Sequence, residues 1–138
     1  VDLVREEIPP YASGLRPPVA QPSEGITLAP KITREDGRLD WNRPAAELVR
    51  RMRAFTPWPG AHCWIPSEPK PKLLKVHGAR VIPTPTSAEP GTVISRDPEG
   101  LVVACGAEAL VLTEVQPEGG RRMGIRDFLA GHPVQRLA

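Results

Sequence analysis

The stretch Asp97-Pro98-Glu99-Gly100-Leu101-Val102-Val103-Ala104-Cys105 decides the fold, because it joins a turn to a run of β-branched and aliphatic residues. Pro at the second position and Gly at the last are the residue types that a four-residue turn favours. A second run of the same kind covers residues 109–115, and both runs are bounded by residues that interrupt strands. The stretch therefore predicts two consecutive strands, the first of which starts at a tight turn.

Three more segments with strand composition lie upstream, at residues 61–65, 73–82 and 92–95. Five short strands at this spacing favour a small antiparallel barrel over a flat sheet, which would expose two edges. An amphipathic helix is predicted before the strands, because Asn42 suits the N-cap and Pro44 the first turn. Pro57 forbids its continuation beyond Phe55. A short last helix is predicted over residues 125–130.

The first thirty residues differ in composition from the rest. Residues 2–11 predict a short helix that Pro9 and Pro10 would stop. Residues 13–30 are rich in Gly, Pro, Ser and Gln, which is typical of an extended linker. Because the chain starts at Val1 without an initiator Met, we expect a piece of a longer protein.

The composition of the 138-residue chain excludes several classes of protein. With 18 Pro and 12 Gly, we expect a folded domain with many turns. No apolar run is long enough to span a bilayer, and the acidic start is unlike a signal peptide, so no membrane partner is expected. Two Cys residues cannot build a disulfide framework, which favours a reduced intracellular protein.

The net charge of +2 conceals an uneven distribution along the chain. Residues 31–66, 67–80 and 119–138 each carry three more basic than acidic groups, whereas residues 81–118 carry five more acidic ones. If the fold brings the basic blocks together, a polyanionic partner is expected. An ordinary mixed surface is the alternative that charge alone leaves open.

The sequence contains no dinucleotide-binding glycine motif, phosphate loop or Gly-x-Ser-x-Gly motif. Its His and Cys residues lack zinc-ligand spacing, so no metal is expected. These absences favour a binding module over a catalyst. Trp41, Trp58 and Trp64 are of a type that stacks on bases, but Trp41 and Trp58 flank the amphipathic helix, so packing in the core is the expectation.

Several collinear segments resemble the C-terminal domain of the methionyl-tRNA formyltransferase family. The resemblance extends over residues 29–138, about four-fifths of the chain. The matching segments are APKITREDGRLDW (29–41), RPAAE (43–47), RAFTPWPGA (53–61), PGTV (90–93), GLVVACG (100–106) and DFLAG (127–131). Two departures are Gly124, where the family often has a Ser cap, and a short tail after residue 131, which leaves less basic surface.

The resemblance implies a mainly β chain, with a small OB-like open β-barrel of Greek-key topology in residues 31–138. It also implies that residues 1–12 are the last helix of a preceding catalytic domain and residues 13–30 the interdomain linker. The intact protein would be a cytoplasmic enzyme that transfers formyl from 10-formyltetrahydrofolate to the methionine amine on initiator tRNA. No catalytic residue and no cofactor is expected in this chain, which should be inactive alone.

The partners that the resemblance implies are the acceptor arm of initiator methionyl-tRNA and the N-terminal catalytic domain in cis. Basic side chains would contact phosphates, which supply affinity without sequence information. The candidate nucleic-acid-binding residues are Lys31, Arg34, Arg38, Arg43, Arg50, Arg121 and Arg122. For each of them, a solvated surface charge is the alternative.

Two other interpretations stay open at this point. One is the equivalent domain of a sugar-nucleotide formyltransferase or a formyltetrahydrofolate dehydrogenase, whose barrel has less reason to be basic. The other is a stand-alone, non-catalytic barrel that binds protein or has a structural role. The linker-like first thirty residues argue against the stand-alone barrel.

Overall fold

A computed structural model of the chain describes residues 2–83 and 85–138, apart from the side chain of Leu3. It divides into two compact units, Val1–Lys31 and Ile32–Ala138. Within the described residues, no helix combines the length and the apolar character that crossing a bilayer requires.

The first unit consists of α1 (Asp2–Ala12) and an exposed segment over residues 13–31. The prediction that Pro9 and Pro10 stop this helix is wrong, because both lie inside it. A proline lacks the backbone N–H but keeps its carbonyl as an acceptor. The carbonyls of Pro9 and Pro10 accept hydrogen bonds from the N–H groups of Ser13 (3.0 Å) and Arg16 (3.1 Å). The two prolines therefore contribute to the C-terminal hydrogen bonds of the helix.

The second unit contains, in its described part, six strands, two helices and a short 3-10 turn. In chain order these are the 3-10 turn Glu35–Gly37, α2 (Ala45–Ala54), β1 (Ala61–Ile65), β2 (Lys72–Ile82), β3 (Val93–Asp97), β4 (Gly100–Ala104), β5 (Ala109–Pro117), β6 (Met123–Gly124) and α3 (Ile125–Gly131). The five predicted strands are confirmed, with ends that agree at β1 and differ by one or two residues at β2, β3, β4 and β5. Strand β6 was not predicted, since a two-residue strand has no pattern of its own.

The strands form an antiparallel sheet in the order β1-β2-β5-β4-β3, and β6 pairs with β5. The hairpin-connected strands β3, β4 and β5 and the long connection back to β2 make a Greek key, as expected. The C-terminal segment lies at the open side of this sheet. The N–H of Val93 donates to the carbonyl of Gln135 (3.0 Å), and Trp64 and Ala138 exchange backbone hydrogen bonds of 2.7 and 2.9 Å. The mainly β, open-barrel fold class is thereby confirmed.

The core lies between the inner face of the sheet and the two helices of this unit. Helix α2 packs against β2 and buries Leu48 completely. Trp41 is only 4% exposed, which confirms its expected place in the core. The buried cluster also includes Leu39, Ala45, Met52, Cys63, Leu74, Val76, Leu101, Val103, Leu110, Leu112, Val115, Ile125, Phe128, Val134 and Leu137.

The start of α2 differs from the prediction, because Pro44 and not Asn42 occupies the N-cap. The side-chain and backbone N–H groups of Asn42 donate instead to Oδ1 of Asp40, at 3.0 and 3.1 Å. The first free N–H of the helix, that of Ala45, donates to the carbonyl of Ala107 (3.0 Å). A tertiary hydrogen bond thus replaces the side-chain cap that a sequence pattern would show.

Candidate nucleic-acid interface

A surface cleft of about 490 Å³ lies on the outer face of β1 and β2. We call it the tryptophan cleft, since Trp58 and Trp64 are its largest side chains. Its lining is completed by Arg34, Glu35, Pro59, Gly60, His62, Leu73 and Lys75. Four elements therefore supply it: the 3-10 turn with the preceding Arg34, the loop between α2 and β1, and the strands β1 and β2.

The register of β1 and β2 determines which side chains form the floor of the tryptophan cleft. His62 pairs with Lys75, and Trp64 pairs with Leu73, across β1 and β2. Residues that face each other in an antiparallel pair project from the same side of the sheet. Because Ala61 and Cys63 point into the core, the alternation of side chains sends His62 and Trp64 outward. The two rings meet edge-on, with centroids 6.5 Å apart.

The walls of the cleft are held together by a close backbone contact. A Cβ atom on the buried Gly37 would overlap the carbonyl oxygen of Gly60 and lie 3.2 Å from Cγ of Pro59. Gly60 itself has φ +77°, a conformation that favours glycine, and its N–H donates to the carbonyl of Phe55 (3.0 Å). These contacts set the distance between the 3-10 turn and the Trp58 loop.

The 3-10 turn is also fixed by side chains on either side of it. Arg51 donates to the carbonyl of Asp36 (2.9 Å), and its guanidinium lies 5.2 Å from the ring centroid of Phe55. The Asp36 carboxylate accepts hydrogen bonds from the N–H (2.6 Å) and hydroxyl (2.9 Å) of Thr33. These bonds lower the pKa of Asp36 below its ordinary value, because they stabilise the charged form. Arg34 is thus carried by an ordered turn.

A second cleft, of about 430 Å³, shares Trp64 with the first and contains Arg38. Arg38 lies beside β1, where its backbone bridges to that of His62, and the N–H of Leu39 donates to the His62 carbonyl (2.8 Å). Trp64 is therefore common to the cleft that contains Arg34 and Lys75 and to the cleft that contains Arg38. The side chains that line the two clefts include three basic ones and two acidic ones, Glu35 and Glu68.

The predicted binding residues are not brought to one place. Arg34 and Arg38 line the adjoining clefts, whereas Arg50 and Arg121 are exposed and line neither of them. Lys31 is exposed and belongs to the first unit. All of these residues stay predictions for RNA contact, because position alone does not test it.

Two of the predicted arginines are engaged by carboxylates. Arg43 forms ion pairs with Glu47 and with Asp40, which raise the pKa of its guanidinium. Arg122 pairs with Glu114, and the hydrogen bond between them lowers the pKa of the Glu114 carboxyl. A phosphate would have to compete with these carboxylates for either guanidinium.

Lys75 and His62 are not among the predicted binding residues, and the predicted place of Trp58 is wrong. Trp58 is 56% exposed, and Trp64 is half-buried on the outer face. The expectation of core packing is therefore wrong for Trp58. For His62 and Trp64, the sequence does contain a signal for an outward position. The two residues flank Cys63 in a predicted strand, so an inward Cys63 requires both of their rings to point outward.

Another basic region lies elsewhere on the unit and shares no residue with these clefts. It comprises Arg96 and Arg126, which flank a cleft of about 390 Å³, and Arg80 in the adjoining one. All three arginines are exposed. This region offers a matched set of cations against which the tryptophan cleft can be compared.

The described residues supply little for covalent or metal chemistry. Among them, no group of three or more His, Cys, Asp or Glu side chains could hold a metal ion. Burial raises the pKa of the Cys63 thiol to about 12 and that of Cys105 to about 11. Both thiols are therefore protonated near neutral pH and are poor nucleophiles.

Comparisons with known proteins agree with this architecture. The family model described as "Formyl transferase, C-terminal domain" matches residues 31–133. Methionyl-tRNA formyltransferase from Myxococcus xanthus is 52% identical over 133 residues, which are 96% of this chain and 41% of that protein. The enzyme of the same name from Paraburkholderia phymatum is 45% identical over 119 residues, 86% of this chain and 35% of that protein. The chain thus spans about two-fifths of the length of these relatives.

Solved structures show the same fold at lower sequence identity. Two crystal structures of HypX from Aquifex aeolicus, one a variant and one in complex with tetrahydrofolic acid, are each 20% identical. They match 95% of this chain with TM-scores of 0.64 and 0.63, over 23% and 22% of their own length. The chain belongs to the family of formyl transferase C-terminal domains.

Proposed function

We propose that this chain is the tRNA-binding C-terminal part of a methionyl-tRNA formyltransferase. In this proposal the second unit holds the acceptor arm of initiator methionyl-tRNA through phosphate contacts. A catalytic domain in cis, for which residues 1–12 supply the last helix and residues 13–30 the linker, transfers formyl from 10-formyltetrahydrofolate. The intact enzyme works in the cytoplasm, where translation begins.

The observation that carries the proposal is the grouping of Arg34, Arg38 and Lys75 around outward-facing tryptophans. Exposed cations next to one another attract a polyanion and release its counterions. Phosphate contacts of this kind fix position without reading sequence, so we expect the chain to tolerate different tRNAs. The similarity to relatives named methionyl-tRNA formyltransferase supports tRNA as this polyanion.

The test is binding of tRNA to the 138-residue chain, measured by fluorescence anisotropy between about 50 and 200 mM salt. The triple variant R34A/R38A/K75A loses three phosphate contacts, so the slope of log affinity against log salt should shrink by about 2–3. The control R80A/R96A/R126A removes the same charge from the other basic region and should change the slope by less than about 1. Equal losses in both variants would show that only net charge matters and would refute the cleft as the binding site.

A further inference from the structure

Trp58 is presented to solvent by an ordered loop. More than half of its surface is exposed, although burial of such a ring is worth several times RT. The loop is anchored at both ends, since the Thr56 hydroxyl donates to the Met52 carbonyl (2.7 Å) and Gly60 to that of Phe55 (3.0 Å). An exposed aromatic ring held in a defined place marks a contact surface.

Basic side chains and the two rings line the same surface. Arg34 and Lys75 lie in the tryptophan cleft, Trp64 lines both clefts, and Arg38 lies in the next cleft. Proteins that bind single-stranded nucleic acid use this arrangement, in which bases stack on aromatic rings and cations follow the backbone. A volume of about 490 Å³ lies within the range of sites that enclose small ligands, and it leaves room for a base.

We infer that the tryptophan cleft binds an unpaired segment of RNA, with bases stacked on Trp58 and Trp64 and phosphates at Arg34, Lys75 and Arg38. This inference rests on the proposed function and specifies which part of the RNA the cleft takes. In an A-form duplex the bases are stacked on each other and their faces are covered, so they cannot stack on protein rings. Cations alone would serve a duplex equally well, whereas the two tryptophans distinguish an unpaired strand.

The experiment compares three labelled RNAs by fluorescence anisotropy: hexauridylate, a blunt RNA duplex with the same number of phosphates, and tRNA. Trp58→Ala should weaken hexauridylate binding about fivefold or more, the loss expected for one stacked base, and duplex binding less than about twofold. Trp58→Phe keeps an aromatic face and should retain most of the affinity. Because Trp58 is outside the core, its replacement leaves the fold intact, and Ile94→Ala serves as an exposed apolar control.

The outcomes separate the inference from the function on which it rests. Unchanged hexauridylate affinity in Trp58→Ala, or an equal loss for the duplex, overturns the inference. If the chain fails to bind hexauridylate but binds tRNA in a manner that depends on Arg34, Arg38 and Lys75, the inference is wrong and the proposed function stands. A chain that binds none of the three RNAs refutes both.

Discussion

Replacement of Gly37 by Ala should destabilise the second unit and disturb the tryptophan cleft together. The added Cβ would overlap the carbonyl oxygen of Gly60 and come within 3.2 Å of the Gly60 carbonyl carbon and of Pro59 Cγ. The nearest obstacle is backbone, so it cannot rotate away as a flexible side chain would. The 3-10 turn and the Trp58 loop must therefore move apart.

The expected cost follows from the packing of this contact. Overpacking a close-packed site costs typically about 1–3 kcal/mol. For a unit of this size, each kcal/mol lowers Tm by roughly 4–8 °C. Because the displaced loop carries Trp58, affinity for single-stranded RNA should fall as well. Differential scanning calorimetry of Gly37→Ala measures the first effect, and the hexauridylate assay measures the second.

The matched control is Gly124→Ala. Gly124 has an ordinary extended backbone (φ −64°, ψ 155°), and a Cβ there would meet no atom within 4 Å. Because Gly124 is the N-cap of α3 and Ala is a poorer N-cap than Gly, its Tm should fall by about 2–4 °C at most, less than for Gly37→Ala. If Gly37→Ala proves as stable as this control, the close contact between the two loops does not set the geometry of the cleft, and the reasoning fails.

Three further outcomes are expected from the packing and electrostatics of the second unit. Leu48→Ala should lower the free energy of unfolding in urea by about 2–5 kcal/mol, because Leu48 is 0% exposed, whereas Ile94→Ala should cost less than about 0.5 kcal/mol. The lowered pKa of Asp36 contributes stability that is present above about pH 4 and is lost on acidification. The Tm advantage over Asp36→Asn should therefore shrink as the pH falls below about 4, and a difference that stays constant would contradict this. Neither Cys63 nor Cys105 should react with a thiol reagent at about pH 8 until urea unfolds the chain, because burial raises the pKa of both thiols. Rapid labelling of the folded chain would contradict this expectation.

The strands were predictable because their signal is local. The turn Asp97-Pro98-Glu99-Gly100 joins β3 to β4 as its residue types indicate, with Asp97 and Gly100 paired across it. The apolar runs after it are long enough to define β4 and β5 within a residue or two. Periodicity of the same kind placed α2 and its buried face, since Leu48 and Met52 lie one turn apart.

The parts that were not predictable depend on partners far away in the chain. The N–H of Ala45 is satisfied by Ala107, so no side-chain cap is needed and the pattern at Asn42 misled the assignment. Arg122 is matched to Glu114 by the pairing of β5 with β6, a two-residue strand without a sequence signature. Single-sequence patterns cannot show such pairings, because they arise only when the sheet is assembled.

The candidate site was predictable only in part, because one of its cations joins the others through strand pairing. Arg34 and Arg38 follow from the basic block that begins the domain. Lys75 joins them only through the register of β1 and β2, which sets it opposite His62. The amphipathic helix beside Trp58 favours a place in the core, but the loop that follows the helix leaves 56% of this residue exposed.

Backbone-amide NMR of the isotope-labelled chain, titrated with tRNA, tests most directly whether RNA binds at the tryptophan cleft. Signals of residues 34–38, 58–64 and 73–75 should shift or broaden first, and those of Arg80, Arg96 and Arg126 should stay in place until RNA is in excess. Perturbations that spread evenly over both basic regions, or that centre on Arg96 and Arg126, would contradict this assignment.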